Sequence, residues 1–135
     1  MRVMFWYCGR FGWRPAVKTL EDAPAAEAAE ERDVVVAFVH VEPRDTDPGS
    51  SAETKLVKNA KWVARKWEAQ RVVLHSFTHL GEAKAPPEAA RQLLKRAAER
   101  LNAAGYTTVR TPYGYFLDLE IAATGHPLAR IYKEF

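Results

Sequence analysis

The stretch Asp33-Val34-Val35-Val36-Ala37-Phe38-Val39-His40-Val41 decides the fold. Five of its nine residues are valines, whose branched side chains pack well on a pleated surface, so it reads as the clearest strand in the chain. A polar loop follows over residues 43–51. Over residues 52–68 the apolar period becomes helical: at about 100° per residue, Leu56, Val57, Ala60, Val63, Ala64 and Trp67 share one face. Lys55, Lys58, Lys61, Arg65 and Lys66 occupy the opposite face, with Trp62 in its middle. Residues 71–77 return to a short strand. Pro86 and Pro87 then open a second helix, since proline is tolerated in a first turn. Its apolar stripe is Leu93, Leu94, Ala97, Leu101 and Ala104, and Gly105 stands where a C-terminal cap belongs.

Outward from this centre, residues 106–109 form another strand and Thr111-Pro112-Tyr113-Gly114 a turn. Tyr113, Tyr115, Leu117, Leu119 and Ile121 then alternate with Phe116, Asp118 and Glu120, the pattern of a half-exposed strand. Gly125-His126-Pro127 makes a further turn, and residues 128–132 form a last short strand. On the N-terminal side, residues 2–8 read as a buried strand and residues 9–15 as a turn-rich loop holding Phe11 and Trp13. Residues 20–32, rich in alanine and acid, fit either a short surface helix or a loop. The order β, β, α, β, α, β, β, β, with a hairpin late, predicts an α/β domain over residues 1–135: a mixed β-sheet with two main helices packed on one face. No internal repeat or linker divides it.

A chain of 135 residues buries roughly two-thirds of its unfolded surface, so it needs no disulfide or metal staple. Cys8 is the only cysteine, which suits a reducing compartment. No apolar run approaches the ~18 residues of a membrane span, and the N-terminus is strand-like rather than a signal peptide, so the expected location is the cytoplasm. The net charge of +3 is too small to identify a nucleic-acid partner. Its distribution says more: acidic residues gather between Glu21 and Asp33, basic ones between Lys55 and Arg71 and between Arg91 and Arg100.

His75-Ser76-Phe77-Thr78-His79-Leu80 ends a strand, and ligands of open α/β sheets favour the crevice beyond strand ends. A histidine there either exchanges hydrogen bonds with a substrate near neutral pH or satisfies a loop backbone group. His75, His79, His40, His126 and Cys8 do not make a zinc signature, which needs three or four convergent ligands. No metal or cofactor is expected. Nothing beside Cys8 activates it, Ser76 lacks a nucleophile elbow, and Gly9 and Gly12 do not form a phosphate-cradling loop. Asp118 and Glu120 read as the solvent side of a strand. The basic face around Trp62 has three readings: phosphate and base contacts, a subunit contact, or a solvated surface.

Three segments together carry a resemblance: Phe77-Thr78-His79-Leu80, Thr111-Pro112-Tyr113-Gly114-Tyr115-Phe116, and Gly125-His126-Pro127-Leu128-Ala129. In order and spacing they resemble the archaeal threonyl-tRNA synthetase editing domain. That family shows Phe-Ala-His-Leu, Pro-Phe-Gly-Tyr-Tyr-Lys and Gly-His-Pro-Leu-Ala segments. The resemblance covers most of the chain and is strongest over residues 72–130. It implies a D-aminoacyl-tRNA deacylase-like fold, a homodimer, and hydrolysis of the ester joining a wrong amino acid, chiefly L-serine, to threonine tRNA. With no room here for aminoacylation and anticodon domains, it implies a free-standing form acting in trans beside a separate threonyl-tRNA synthetase. Carried over by motif position, His79, Thr78 and Phe77 are the catalytic segment, with His79 orienting the terminal ribose or water and backbone N–H groups of residues 77–80 holding the oxyanion. Ser76, Leu80, Tyr113, Gly114, Tyr115, Phe116, Leu117 and Arg130 are the expected substrate contacts; the expected RNA contacts, Lys55, Lys58, Lys61, Trp62 and Arg65, come from the basic helical face and not from the resemblance. Three positions depart from the family: Thr78 replaces alanine, Leu117 replaces a lysine that contacts the amino-acid side, and Arg130 replaces a glutamate. A non-catalytic tRNA-binding or adaptor module and a D-aminoacyl-tRNA deacylase are the alternatives.

Overall fold

The computed structural model describes residues 1–135. Its first strand, β1 (Arg2–Lys18), is 17 residues long and runs straight through the expected loop at residues 9–15. The turn residues there are absorbed as irregularities of the strand. The register against β5 (Tyr115–Ala123) slips once between Cys8 and Arg10 and again between Pro15 and Val17. Such bulges bend a strand. Pro15 lies beyond Trp13, the last residue paired with β2 (Ala29–His40), so its missing N–H costs no bond on that side.

β2 starts four residues earlier than its valine run suggests, and residues 20–28 hold no helix. It leads through a short 3₁₀ turn, Pro43–Thr46, into α1 (Ala52–Trp67). α1 ends at Glu68, which takes the left-handed conformation at φ 52°. Then follow β3 (Arg71–Ser76), α2 (Pro87–Ala103), β4 (Thr107–Arg110), β5, a second 3₁₀ turn Pro127–Ala129, and β6 (Arg130–Glu134). The element order agrees with the sequence expectation. The expected late hairpin does not form, because β5 and β6 each pair with β1 and not with one another. β6 takes Arg2–Trp6 and β5 takes Cys8–Lys18 along the same edge. The six-stranded sheet runs β4-β3-β2-β1-β5, parallel from β4 to β2 and antiparallel beyond.

Both helices pack on one face. Leu56, Val57, Ala60 and Val63 of α1 and Leu93, Leu94, Ala97 and Leu101 of α2 join Val3, Phe5, Val35, Ala37, Val39, Val72 and Leu74 in one core. Each fully buried aliphatic side chain there contributes roughly 1.5–3 kcal/mol. Ala104, expected in the α2 stripe, is exposed just past the helix end. The other face of the sheet holds a smaller cluster, mainly aromatic and valine: Phe11, Trp13, Val34, Val36, Phe38 and Val73 with Cys8. Burial pushes the Cys8 thiol up to about 11, which keeps it protonated. No helix is long and apolar enough to cross a membrane.

Candidate functional site

A cleft of about 450 Å³ opens beyond the carboxyl end of β3. One wall is the end of β3 and the loop after it: His75, Ser76, Phe77, Thr78 and His79, then Lys84 and Ala85. The opposite wall is the β4–β5 connection and the start of β5: Thr111, Pro112, Tyr113, Gly114, Tyr115, Phe116, Leu117 and Leu119. Two of the three sequence segments singled out above therefore face each other across one space.

The loop wall is pinned by backbone bonds and by a buried histidine. Phe77 N–H donates to Val39 O and Ala85 N–H to Val41 O, tying both ends of the loop to the end of β2. Between them, Leu80 N–H donates to His40 Nδ1 at 3.2 Å. That bond makes Nδ1 the acceptor, so the proton sits on Nε2, which donates to Ala83 O at 2.7 Å. His40 is fully buried and holds the loop from inside. Arg2 adds a guanidinium bond to Leu80 O. Of the four N–H groups from residue 77 to 80, those of Phe77 and Leu80 are thus already used. Those of Thr78 and His79 have no partner within the chain.

The second wall depends on Gly114, whose φ of +88° suits glycine. A Cβ there would also stand 2.9 Å from Ala23 and 3.3 Å from Leu20. Residues 19–24 close over this turn, with Thr19 and Leu20 N–H donating to Gly114 O and Tyr115 Oη to Pro24 O. Inside the cleft, burial raises the Tyr113 phenol above its ordinary value, and the Ser76 hydroxyl beside it partly offsets this. His79 is exposed and its ring meets Phe77 edge-on at 5.0 Å. Phe116 is 59% exposed at the rim.

Leu80 and Arg130 lie outside the cleft lining. Arg130 donates to Thr124 O and stacks over the Trp6 ring at 5.6 Å, beside the β1–β6 pairing. The third segment, around His126, packs on the far end of α1: Trp67 Nε1 donates to Leu128 O and the Trp67 ring meets His126 edge-on at 5.3 Å. It anchors the chain and leaves the cleft to the other two segments. Asp118 and Glu120 are exposed and paired with Arg14 and Arg10.

On α1, Lys55, Lys58 and Arg65 are exposed, Lys61 half-exposed, and Trp62 37% exposed between Lys66 and Lys133, each 5.6 Å from the ring. The only carboxylate of the helix, Glu53, is taken by Arg96 and Arg100 of α2, so the basic stripe keeps its charge. No cluster of three or more histidine, cysteine or acidic side chains is placed to hold a metal.

Lys84, the one lysine in the cleft, was not read from the sequence, because an exposed lysine in a polar loop carries no local signal. The sequence marks His75 as a strand-end histidine without giving it a role. It is buried against Phe38 at 4.8 Å, Phe11 at 6.3 Å and Phe77 at 6.0 Å. Burial lowers its pKa to about 4, which leaves the ring neutral, and Nδ1 lies 2.9 Å from Thr111 Oγ1.

Comparison with known proteins bears on what this cleft serves. Residues 1–135 match the profile of the archaea-specific editing domain of threonyl-tRNA synthetase. A threonine–tRNA ligase of Methanopyrus kandleri is 31% identical over 133 residues, covering 97% of this chain and 21% of that protein. That of Thermococcus kodakarensis is 35% identical over 100 residues, 73% of this chain and 16% of that protein. That of Pyrobaculum aerophilum is 27% identical over 136 residues, 100% of this chain and 22% of that protein. The chain thus spans about a fifth of the length of these relatives. Among solved structures, the c-Myc DNA Unwinding Element Binding Protein superposes with a TM-score of 0.69 at 9% identity, covering 100% of this chain and 99% of that one. At that identity the likeness concerns the fold alone, which is the D-aminoacyl-tRNA deacylase-like architecture.

Proposed function

The chain belongs to the archaea-specific editing domain family of threonyl-tRNA synthetase, and from that premise we propose that it is a cytoplasmic aminoacyl-tRNA deacylase acting in trans. It hydrolyses the ester of a mischarged tRNA, chiefly L-seryl threonine tRNA. The observation that carries this reading is the pair of adjacent unpartnered N–H groups, Thr78 and His79, on a wall of the cleft pinned by His40. Rigid backbone donors are what a tetrahedral oxyanion requires.

Water adds to the ester carbonyl carbon, and the carbonyl oxygen becomes an oxyanion held by the two N–H groups. Collapse breaks the bond to the ribose 3′-oxygen, which takes a proton, and releases free amino acid and intact tRNA. Two titratable side chains of the cleft are not bases near neutral pH: burial lowers His75 to about 4 and raises the Tyr113 phenol above its ordinary value. The neighbouring 2′-hydroxyl of the terminal ribose orients the water, while the exposed His79 contacts that ribose. Tyr113, Tyr115, Phe116 and Leu117 form the wall against the aminoacyl group. Lys84 at the mouth meets a phosphate of the 3′ end.

The tRNA body lies along Lys55, Lys58, Lys61, Trp62 and Arg65, whose charge is not neutralised within α1. The active form is a homodimer. Ile121, 43% exposed and paired with Phe11 of the open face, and a buried Trp6 Nε1 with no partner support a second copy on that face.

The test is deacylation of serine- and threonine-charged threonine tRNA by the purified protein, with sedimentation to fix its state. Selective release of serine is the expected result. Release of neither, with salt-dependent tRNA binding retained, contradicts it and selects the second reading that the basic stripe favours, a non-catalytic tRNA-binding module. Preferential release of D-amino acids selects the D-aminoacyl-tRNA deacylase.

A further inference from the structure

The side chains of β3 alternate between the two faces of the sheet. Val72 and Leu74 point into the helix-covered core, while Val73 points to the open face. His75 follows Val73 on that open face and is packed by Phe11, Phe38 and Phe77. It also lines the cleft, where its residual 7% exposure lies. Only one of its two ring nitrogens is bonded within the chain: Nδ1 meets Thr111 Oγ1 at 2.9 Å. Nε2 has no partner, and the one fully sealed side-chain atom in that condition is Trp6 Nε1. So His75 Nε2 opens to the cleft.

A neutral imidazole carries one donor and one acceptor, and a threonine hydroxyl rotates to serve as either. Nothing else bonds the Thr111 hydroxyl. When it donates to Nδ1, Nε2–H presents a donor to the cleft; when it accepts from Nδ1–H, Nε2 presents an acceptor. The pair His75–Thr111 is a reversible hydrogen-bonding contact set in apolar surroundings. A hydroxyl is its natural complement, since it also donates and accepts without bringing charge into a cluster of phenylalanines. An unmet polar group in such a place disfavours an apolar ligand, because desolvation is then uncompensated.

We propose that His75, backed by Thr111, is the specificity-determining residue that reads the side-chain hydroxyl of the bound aminoacyl group. This rests on the aminoacyl-ester reading of the cleft. The aminoacyl group is the terminus of its tRNA, so it reaches deepest and meets the most buried polar atom. The contact selects hydroxylated over apolar side chains of equal size. It does not separate serine from threonine, which falls to the walls around Thr78 and Leu117.

The test uses the full chain and two non-hydrolysable probes, the L-seryl and L-alanyl amides of 3′-amino-3′-deoxyadenosine, titrated calorimetrically. The native protein binds the seryl probe at least tenfold more tightly. His75→Phe, which keeps an aromatic ring in an aromatic box, brings the seryl probe to the alanyl level and leaves the alanyl affinity unchanged. His75→Gln, with an amide near the Nε2 position, restores part of the preference. Ring ¹⁵N shifts of His75 move on adding the seryl probe and not the alanyl one, a signal that a merely structural role would not give. Equal binding of the two probes by the native protein, or a preference that survives in His75→Phe, overturns the proposal while the deacylase reading stands. Failure of both probes to bind overturns the reading of the cleft itself, and this proposal with it.

Discussion

The sheet is covered differently on its two faces. Under α1 and α2 lies an aliphatic core whose residues are almost wholly buried. On the other face lie five aromatic rings, one histidine and no helix: Phe11, Phe38 and Phe77 around His75, with Trp6 and Trp13 packed behind Phe38 and Phe11. The first face spends its side chains on packing. The second keeps polar atoms without partners, Trp6 Nε1 and His75 Nε2, and exposes Ile121 beside Phe11. Both faces are packed, but unpartnered polar atoms among aromatic rings stabilise nothing in the isolated chain, so in the proposed reading the second is the one that meets other molecules.

The largest expected effect breaks the packed face. Leu101→Ala removes a fully buried side chain between α2 and the sheet and costs about 3 kcal/mol, read as a lower urea midpoint. Next comes the histidine of the open face. Its folded-state pKa of about 4 lies below the ordinary value of 6.5, so between these values the unfolded chain binds more protons. Stability is therefore full above pH 6.5 and falls as pH drops towards 4, by up to about 3 kcal/mol. His75→Phe removes that part of the slope, and comparing urea midpoints at pH 7 and 4.5 in both proteins isolates it from the carboxylates they share.

A smaller change links the faces. His40→Leu strips Leu80 N–H and Ala83 O of their buried partner. It costs about 2 kcal/mol and speeds amide exchange across residues 77–85 more than in the α-helices. Smallest is Phe116→Ala, at the cleft rim: stability shifts by no more than about 0.5 kcal/mol. A large loss there would mean that Phe116 is packed in the chain and is not an exposed rim residue.

The helix-covered face was legible in the sequence because periodicity reports burial. Leu56 through Val63 and Leu93 through Leu101 fall in core positions by spacing alone. The open face was less legible. Gly9, Gly12 and Pro15 are turn residues by type, yet β1 passes through them, with bulges at Gly9 and after Pro15 and regular pairing at Gly12, and only the partner strand β5, some hundred residues away, fixes that outcome. The late hairpin failed for the same reason: β5 and β6 are neighbours in sequence, but β1 is long enough to take both. Of the cleft, the segments around Phe77 and Tyr113 were legible as motifs. The role of His40 was not, since its two bonds span 40 and 43 residues. Nor was the division among the N–H groups of residues 77–80, which depends on which of them β2 and His40 consume.

In the proposed mechanism backbone groups of the cleft and the 2′-hydroxyl of the tRNA do the chemistry, with side chains shaping the space. It is tested most directly by single-turnover release of serine from threonine tRNA ending in a normal or a 2′-deoxy adenosine. Rapid release from the normal end and none above background from the 2′-deoxy end are expected, with His79→Ala slowing the former by about tenfold, the loss of one ground-to-transition-state contact. Full turnover on the 2′-deoxy substrate would contradict it.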